Sequence, residues 1–264
     1  MKRSSAIVAV LLLAGCLSLE DPAPSQNTRL VVHAILDAQA NQQVVLVYRA
    51  RTGAPSGVES SNFSDDEPVS GAEVFITTPE GITLRNWLLG KESGQCCVAG
   101  TYLFPDSLTG SWLTPGGTYS LRIRTSLGEE VVGKTIMPGP AQLTHEPSRI
   151  FFRLQDTLRL NWPRVPGAAS YEVIIAMPRF GERFRTFADT AFTLPGTALT
   201  IAGDEIFQWG QDMTIVVTAV DVNYYDYYRS QSDPFAGAAP SHLSGAVGVF
   251  GSVVPIYATE LIVR

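Results

Sequence analysis

The sequence predicts an all-β chain of two tandem β-sandwiches with a short helical insert near the C-terminus. Between residues 29 and 137, short apolar alternations recur, separated by turns rich in Gly, Pro, Asp and Asn. Within that stretch no segment of useful length has the period of an amphipathic helix. Met137-Pro138-Gly139-Pro140 then breaks the pattern, because two prolines around a glycine cannot continue a hydrogen-bonded ladder. The chain therefore divides into a unit over residues 29–138 and a second over 139–264.

The first unit reads as seven strands. "RLVVHAIL" (29–36) and "QVVLVYRA" (43–50) are joined by polar "DAQANQ". A loop rich in Gly, Ser, Pro and acids follows. "AEVFITT" (72–78) and "GITLRNW" (81–87) flank Pro79-Glu80-Gly81, a hairpin turn by composition. "TYLFP" (101–105), "GTYSLRIRT" (117–125) and "EEVVGKTIM" (129–137) complete the set. Leu121, Ile123 and Thr125 alternate with Arg122 and Arg124, so one face is buried and the other wet. Seven short strands over so few residues imply a sandwich.

The N-terminus carries an address. Lys2 and Arg3 precede the apolar run Ala6–Ala14, which is too short to span a bilayer as a helix. The run ends in Leu13-Ala14-Gly15-Cys16, which resembles the lipobox of bacterial lipoproteins. That resemblance implies cleavage before Cys16, acylation of Cys16, and a mature chain that keeps the membrane through its lipid. Residues 1–15 are then a signal peptide, and losing Lys2 and Arg3 takes the formal charge from −6 to −8. Burial of acyl methylenes at about 0.8 kcal/mol each makes such an anchor durable. Residue 17 is Leu and not Asp, which by resemblance to lipoprotein sorting favours the outer membrane. Residues 16–28, with two prolines, two acids and little apolar pattern, read as a tether.

In the second unit, "LRLNWPRVPGAASYEVIIAM" (158–177) resembles two strands of a fibronectin type III module, through Trp162, Gly167, Ala168 and Tyr171. "ADTAFTLPG" (188–196) fits the next strand with Phe192 and Leu194 inward. "QDMTIVVTAVD" (211–221) fits the penultimate strand and "PIYATELIV" (255–263) the last. Residues 222–254 are too long for the hairpin between those two and form an insert. The insert opens with "NYYDYYRSQSDPF" (223–235). Tyr224 and Tyr228 share a helical face at i,i+4, so a short helix over roughly 222–231 is expected. Its tyrosines, with Phe235 and Phe250, would pack on the body of the protein or form a ligand platform, while Asp226, Arg229 and Gln231 face water.

Pro68–Gly71, Gly117, Tyr119, Asp233–Phe235 and Gly248–Gly251 together resemble the envelope lipoproteins of the domain-of-unknown-function 4249 family. The first glycine of that family's G-x-G-x-F-G segment is Ala246 here. The resemblance implies a lipobox, an immunoglobulin-like N-terminal half, an envelope location and a link to outer-membrane transporters.

Catalytic and metal chemistry find little support. His33 lies in an alternating strand, His145 in a linker, and His242 beside Ser241 without a nucleophile elbow. Cys96 and Cys97 are adjacent, with neither C-x-x-C spacing nor a nearby His, so zinc is not expected. In an oxidising envelope they are a vicinal disulfide, two free thiols, or a bond to another chain. Asp65, Asp66 and Glu67, or Asp221, Asn223 and Asp226, could serve calcium, but neither set follows a calcium-loop pattern, and solvated turn acids are the simpler reading. "GAVGVFGS" lacks the strand-before, helix-after setting and the cations of a phosphate loop; its glycines let the backbone pass close to aromatics. A net charge of −6, with 17% charged residues, argues against nucleic-acid binding. The expectation is a non-enzymatic, outer-membrane-anchored lipoprotein without cofactor or metal. It would bind an envelope partner or ligand, such as a TonB-dependent transporter or an envelope polymer. The alternatives are a carbohydrate-binding or carbohydrate-processing protein using the aromatic insert, and a structural envelope spacer.

Overall fold

The computed structural model describes residues 29–50, 67–86, 99–105, 112–141, 144–145, 150–152, 156–177, 182–195, 212–232 and 240–263. Cys16, Cys96, Cys97, Phe235, Asp65 and Asp66 lie outside these residues. Among the described residues the chain is β-strand with one short helix, arranged in sandwich-like sheets.

The N-terminal strands form where the alternation predicts them: β1 (Arg29–Asp37), β2 (Gln42–Ala50), β4 (Glu73–Thr77), β5 (Thr83–Arg85), β6 (Thr101–Pro105), β7 (Thr118–Arg124) and β8 (Glu130–Ile136), with a two-residue β3 (Glu67–Pro68) in addition. The β4–β5 hairpin closes with Thr78 N donating to Ile82 O at 2.9 Å, and Gly81 takes the left-handed φ of 82° that the turn needs. The C-terminal strands are β9 (Thr144–His145), β10 (Ile150–Phe152), β11 (Thr157–Asn161), β12 (Ser170–Met177), β13 (Glu182–Ala188), β14 (Ala191–Pro195), β15 (Asp212–Val220), β16 (Leu243–Ser244) and β17 (Val247–Val263). Helix α1 spans Val222–Ser232, in line with the tyrosine spacing.

A ten-stranded sheet runs β13-β12-β15-β17-β1-β2-β3, with β6 on β2 and β9 and β10 on β17. Its N-terminal part packs on a five-stranded sheet, β16-β8-β7-β4-β5, and its C-terminal part on the pair β11-β14. Val32, Ala34, Leu36, Val45, Val47, Val74, Ile76, Leu121 and Ile123 fill the first core, and Tyr171, Val173, Ile175, Ile215 and Val217 the second. Each half also pins a turn with a buried tyrosine. Thr114 N donates to Tyr119 Oη at 2.5 Å, and Val165 N to Tyr171 Oη at 2.6 Å.

The last strand departs from the sequence expectation. It starts at Val247 and not at Pro255, so residues 247–254 of the expected insert are strand. Residues 247–253 pair in parallel with β1, from Val31↔Val247 to Asp37↔Val253. Residues 253–262 pair antiparallel with β15. One strand therefore belongs to both halves, and the ten-stranded sheet is continuous through it. Pro255 does not begin the strand, because the register with β15 shifts at Val217/Thr218, where Pro255 stands beside the extra residue of a bulge. Its missing N–H breaks no ladder there. Gly248 explains how the Gly-rich stretch becomes strand. Its φ is 115°, and a Cβ would lie 2.0 Å from Val32 O on β1. Phe250, fully buried, then drops into the N-terminal core.

The expected boundary is packed and not a free linker. Met137, Pro138 and Gly139 are buried, and Gly139 N donates to Pro166 O at 2.7 Å.

Gly248→Ala is expected to lower folding stability by about 2–4 kcal/mol, since it combines a strained φ with a backbone clash. Denaturant unfolding of the two chains checks this; equal midpoints would contradict the assigned β1–β17 approach.

Candidate functional site

The residues singled out in the sequence meet where β15 turns into α1. Val220 ends the strand, and Asp221 N makes the last ladder bond, to Ser252 O at 3.1 Å. Asp221 is the N-cap of α1: its Oδ1 accepts from Tyr224 N at 2.9 Å and from Ser252 N at 3.1 Å. Its Oδ2 accepts from Thr135 Oγ1 on β8 at 2.5 Å, and that hydroxyl also meets Ser252 Oγ at 2.8 Å. Two residues on, Asn223 Nδ2 donates to Lys134 O on β8 at 2.6 Å and to Phe250 O on β17 at 2.8 Å. Asp221 and Asn223 therefore stand in for a strand along the edge of β17 that β1 leaves free. Gly251 permits the approach, since a Cβ there would meet Asp221 Oδ1 and Tyr224 N at 3.0 and 3.1 Å. Burial pushes the Asp221 carboxyl up, against the opposing pull of these donors. Both Asp221 oxygens are thus engaged by protein donors, and Asp226 pairs with His242.

Helix α1 lies on the ten-stranded sheet, over the face opposite the two cores. Tyr224 and Tyr227 are buried, and Tyr225 and Tyr228 are half-buried. The i,i+4 pair Tyr224–Tyr228 stacks with centroids 4.4 Å apart, and Tyr225 packs edge-on against Phe187 at 5.1 Å. Both Tyr227 and Tyr228 lie 6.2 Å from the His33 ring. The four tyrosines thus pack against one another, Phe187 and His33. Arg229 is exposed over the Tyr225 ring at 5.4 Å. Asp226, expected to face water, takes His242 Nε2 at 3.1 Å instead.

The polar groups under the helix satisfy one another. Tyr224 Oη donates to Glu172 Oε1 at 2.8 Å, and Arg185 Nε pairs with the same oxygen at 2.8 Å. The Arg185 guanidinium covers the Tyr228 ring at 4.6 Å, and Tyr228 Oη meets His33 Nε2 at 2.7 Å. Burial raises the Glu172 carboxyl against the pull of Arg185, and raises the Tyr224 and Tyr228 hydroxyls. Burial, helped by the Arg185 charge, lowers His33. This is a lock joining β1, α1, β12 and β13. Ser241 and His242 do not act as a pair: Ser241 Oγ donates to Ala246 O at 3.2 Å and accepts from Leu243 N at 3.3 Å, capping its own turn. His145 falls on β9.

Sequence reasoning missed Thr135, Ser252, Glu172 and Arg185. Thr135 was the findable one. It holds the core-facing phase of β8 after Val131 and Gly133, and a hydroxyl on an inward phase demands a buried partner.

Two open concavities among the described residues lie on the outer face of the five-stranded sheet. One, of about 610 Å³, is lined by Gly71, Glu73, Arg85, Arg124, Ser126 and Glu130. The other, of about 700 Å³, runs past Thr77, Ser120, Arg122 and Lys134 to Asn223 and His242. No group of three or more His, Cys, Asp or Glu side chains among the described residues is placed to hold a metal ion.

The model of the family "Domain of unknown function (DUF4249)" matches residues 19–254, most of the chain. The chain belongs to the DUF4249 family. The match ends inside β17, past the Gly248–Gly251 segment that buries Phe250, so the junction around Asp221 lies wholly within the DUF4249 region. No curated protein matches this DUF4249 chain. Among solved structures, it is similar to a two-domain fibronectin type III segment of chicken tenascin, at 11% identity over 74% of this chain and 92% of that one, with a TM-score of 0.23. It is also similar to a 1.5-MDa bacterial ice-binding adhesin, at 13% identity over 90% of this chain and 66% of that one, TM-score 0.20. A Dscam structure aligns at 12% identity over 91% of this chain and 52% of that one, TM-score 0.21. With TM-scores this low, the sandwich architecture of the DUF4249 chain rests on its own strand pairing.

Asp221→Ala is expected to cost about 2–4 kcal/mol, from a lost helix cap plus the unpaired Ser252 N–H, while Thr135 keeps its contact with Ser252 Oγ. Asn223→Ala leaves two carbonyls unpaired and is expected to cost about 2–3 kcal/mol. Equilibrium unfolding measures both.

His33 also gives the fold a pH dependence of known sign. Burial holds its folded pKa below the ordinary imidazole value. Its contribution is therefore complete above pH 6.5 and is lost as pH falls toward the folded value. Asp221 and Glu172, both raised, respond in the opposite sense. In His33→Phe those two groups remain and the His term vanishes. Wild type should therefore lose stability relative to His33→Phe below pH 6.5, at up to about 1.4 kcal/mol per pH unit. Paired denaturant melts between pH 5 and 8 would show parallel curves if His33 were exposed and unperturbed.

Proposed function

We propose that the protein is an outer-membrane-anchored lipoprotein that binds an envelope partner or ligand without chemical turnover, the partner being a TonB-dependent transporter or an envelope polymer. The observation that carries the proposal is Leu13-Ala14-Gly15-Cys16 at the end of a nine-residue apolar run behind Lys2 and Arg3. Acylation of Cys16 sets the folded body beyond a short tether, residues 17–28, before β1 begins. The shared strand β17 supports the binding role. It joins the two halves in one continuous sheet, so their outer faces keep a fixed spacing and a partner can engage both without a cost in domain ordering. The C-terminal half is read as fibronectin III-like on Trp162 and Tyr171, whose rings pack at 5.6 Å. The packing of α1 counts against a carbohydrate platform built from the aromatic insert. A spacer role differs in predicting that no surface substitution matters.

The test is lipid labelling. Cells fed an alkyne-tagged palmitate should label the wild-type chain and leave Cys16→Ala unlabelled, with the variant moving from the membrane pellet to the soluble fraction. Retained label and sedimentation in Cys16→Ala would overturn the anchoring.

A further inference from the structure

The outer face of the five-stranded sheet carries its side chains in files that cross the strands. Thr83, Thr77, Ser120 and Lys134 stand directly opposite one another on β5, β4, β7 and β8. Beside them run Arg85, Phe75, Arg122, Val132 and Ser244, with the Arg85 guanidinium 5.8 Å from the Phe75 ring centre. Three short hydroxyl side chains next to taller Arg, Phe and Val make the first file a trough; its Thr77, Ser120 and Lys134 line the 700 Å³ depression, closed at one end by Asn223 and His242, and Thr83 continues the file beyond it. Strands spaced at about 4.8 Å make the file about 14 Å long, the reach of a short oligosaccharide.

The charges on this face are nearly all spoken for. Arg85 pairs with Glu73 at 2.6 Å, Arg122 with Glu130 at 2.5 Å, Arg124 with Glu130 at 3.5 Å, and His242 with Asp226 at 3.1 Å. Lys134 is the exception: it is exposed and forms no ion pair among the described residues. It is also one of only three lysines in a chain of net charge −6. Its backbone is held still, because the Lys134 carbonyl accepts the Asn223 amide. A row of hydroxyls, in which Thr77 Oγ1 and Thr83 Oγ1 share one hydrogen bond at 3.2 Å and keep acceptor positions open, leads to one uncompensated ammonium and complements a ring-hydroxyl chain ending in a carboxylate.

The geometry points to this trough as a binding site for an acidic glycan, a uronate-bearing oligosaccharide. Its carboxylate sits on the Lys134 ammonium and its hydroxyls lie along Ser120, Thr77 and Thr83. The site rests on the binding role proposed above and names the ligand class for it.

The test titrates the full chain in detergent micelles with trigalacturonate by calorimetry. Maltotriose serves as the neutral trimer and triaspartate as a carboxylate-bearing non-sugar. Saturable binding of trigalacturonate is expected, at least tenfold tighter than either control. Lys134→Gln, and Ser120→Leu which fills the trough, should each weaken it at least tenfold with unchanged melting midpoints. No saturable binding by wild type, indifference to Lys134→Gln, or equal binding of triaspartate would each overturn the site. Lipid labelling at Cys16 does not involve Lys134. Loss of the glycan result with labelling intact therefore removes the trough alone, and the reverse pattern removes the anchor alone.

Discussion

The two amide protons of Asn223 go to carbonyls on different sheets, Lys134 O on the five-stranded sheet and Phe250 O on the ten-stranded one. The constraint behind this bond is the edge of β17. Where β15 ends at Val220, β17 still has several residues to run, with β1 on one side and nothing regular on the other. A buried strand edge cannot leave its N–H and C=O groups unpaired, at about 1–3 kcal/mol each. Asp221 and Asn223 meet that need with side chains, Thr135 and Ser252 complete the network, and the helix N-terminus is capped by the same carboxylate. Removing the insert would therefore expose a backbone edge in the middle of the protein, not at its surface.

The rest of the architecture follows. Because β17 is fixed at both its edges, it can be parallel to β1 in one half and antiparallel to β15 in the other. A parallel pairing needs a long crossover between its strands, and here the crossover is almost the whole chain. The N-terminal core is completed by Phe250 and Val254 from the far end of the sequence. The two halves consequently share a core residue set, a sheet and a hydrogen-bond network. The tyrosines of α1 then cover the outside of the seam, where His33 from β1 and Glu172 and Arg185 from the C-terminal half supply polar partners. A cluster paired among itself in this way is suited to holding a joint.

Much of this was legible in the sequence, and specific residues show why. The alternation in "SLRIRT" placed Leu121 and Ile123 inward, because the two-residue period of a strand is local. The i,i+4 spacing of Tyr224 and Tyr228 gave the helix for the same reason. Pro255 misled about β17, since a proline opposite a bulge is invisible until the partner strand's register is known. Gly248 and Gly251 read as sites of close backbone approach to aromatics; Gly251 does lie against Tyr224, but the neighbour of Gly248 is the Val32 backbone, which a linear pattern does not record.

The sequence by itself determined the class of the fold, the strand positions of the first half, the helix near 222–231 and the family. Each of these is written in short-range spacing or in a contiguous motif. Only the tertiary structure decided that the last strand is shared, that Asp221 and Asn223 are structural partners of a strand edge and not ligands, and that the tyrosines face inward onto His33, Glu172 and Arg185. Those outcomes depend on hydrogen bonds between residues separated by 27 to 195 positions. Such pairings are set by which edges and faces remain unsatisfied once the sheets have formed, a condition that exists only in three dimensions.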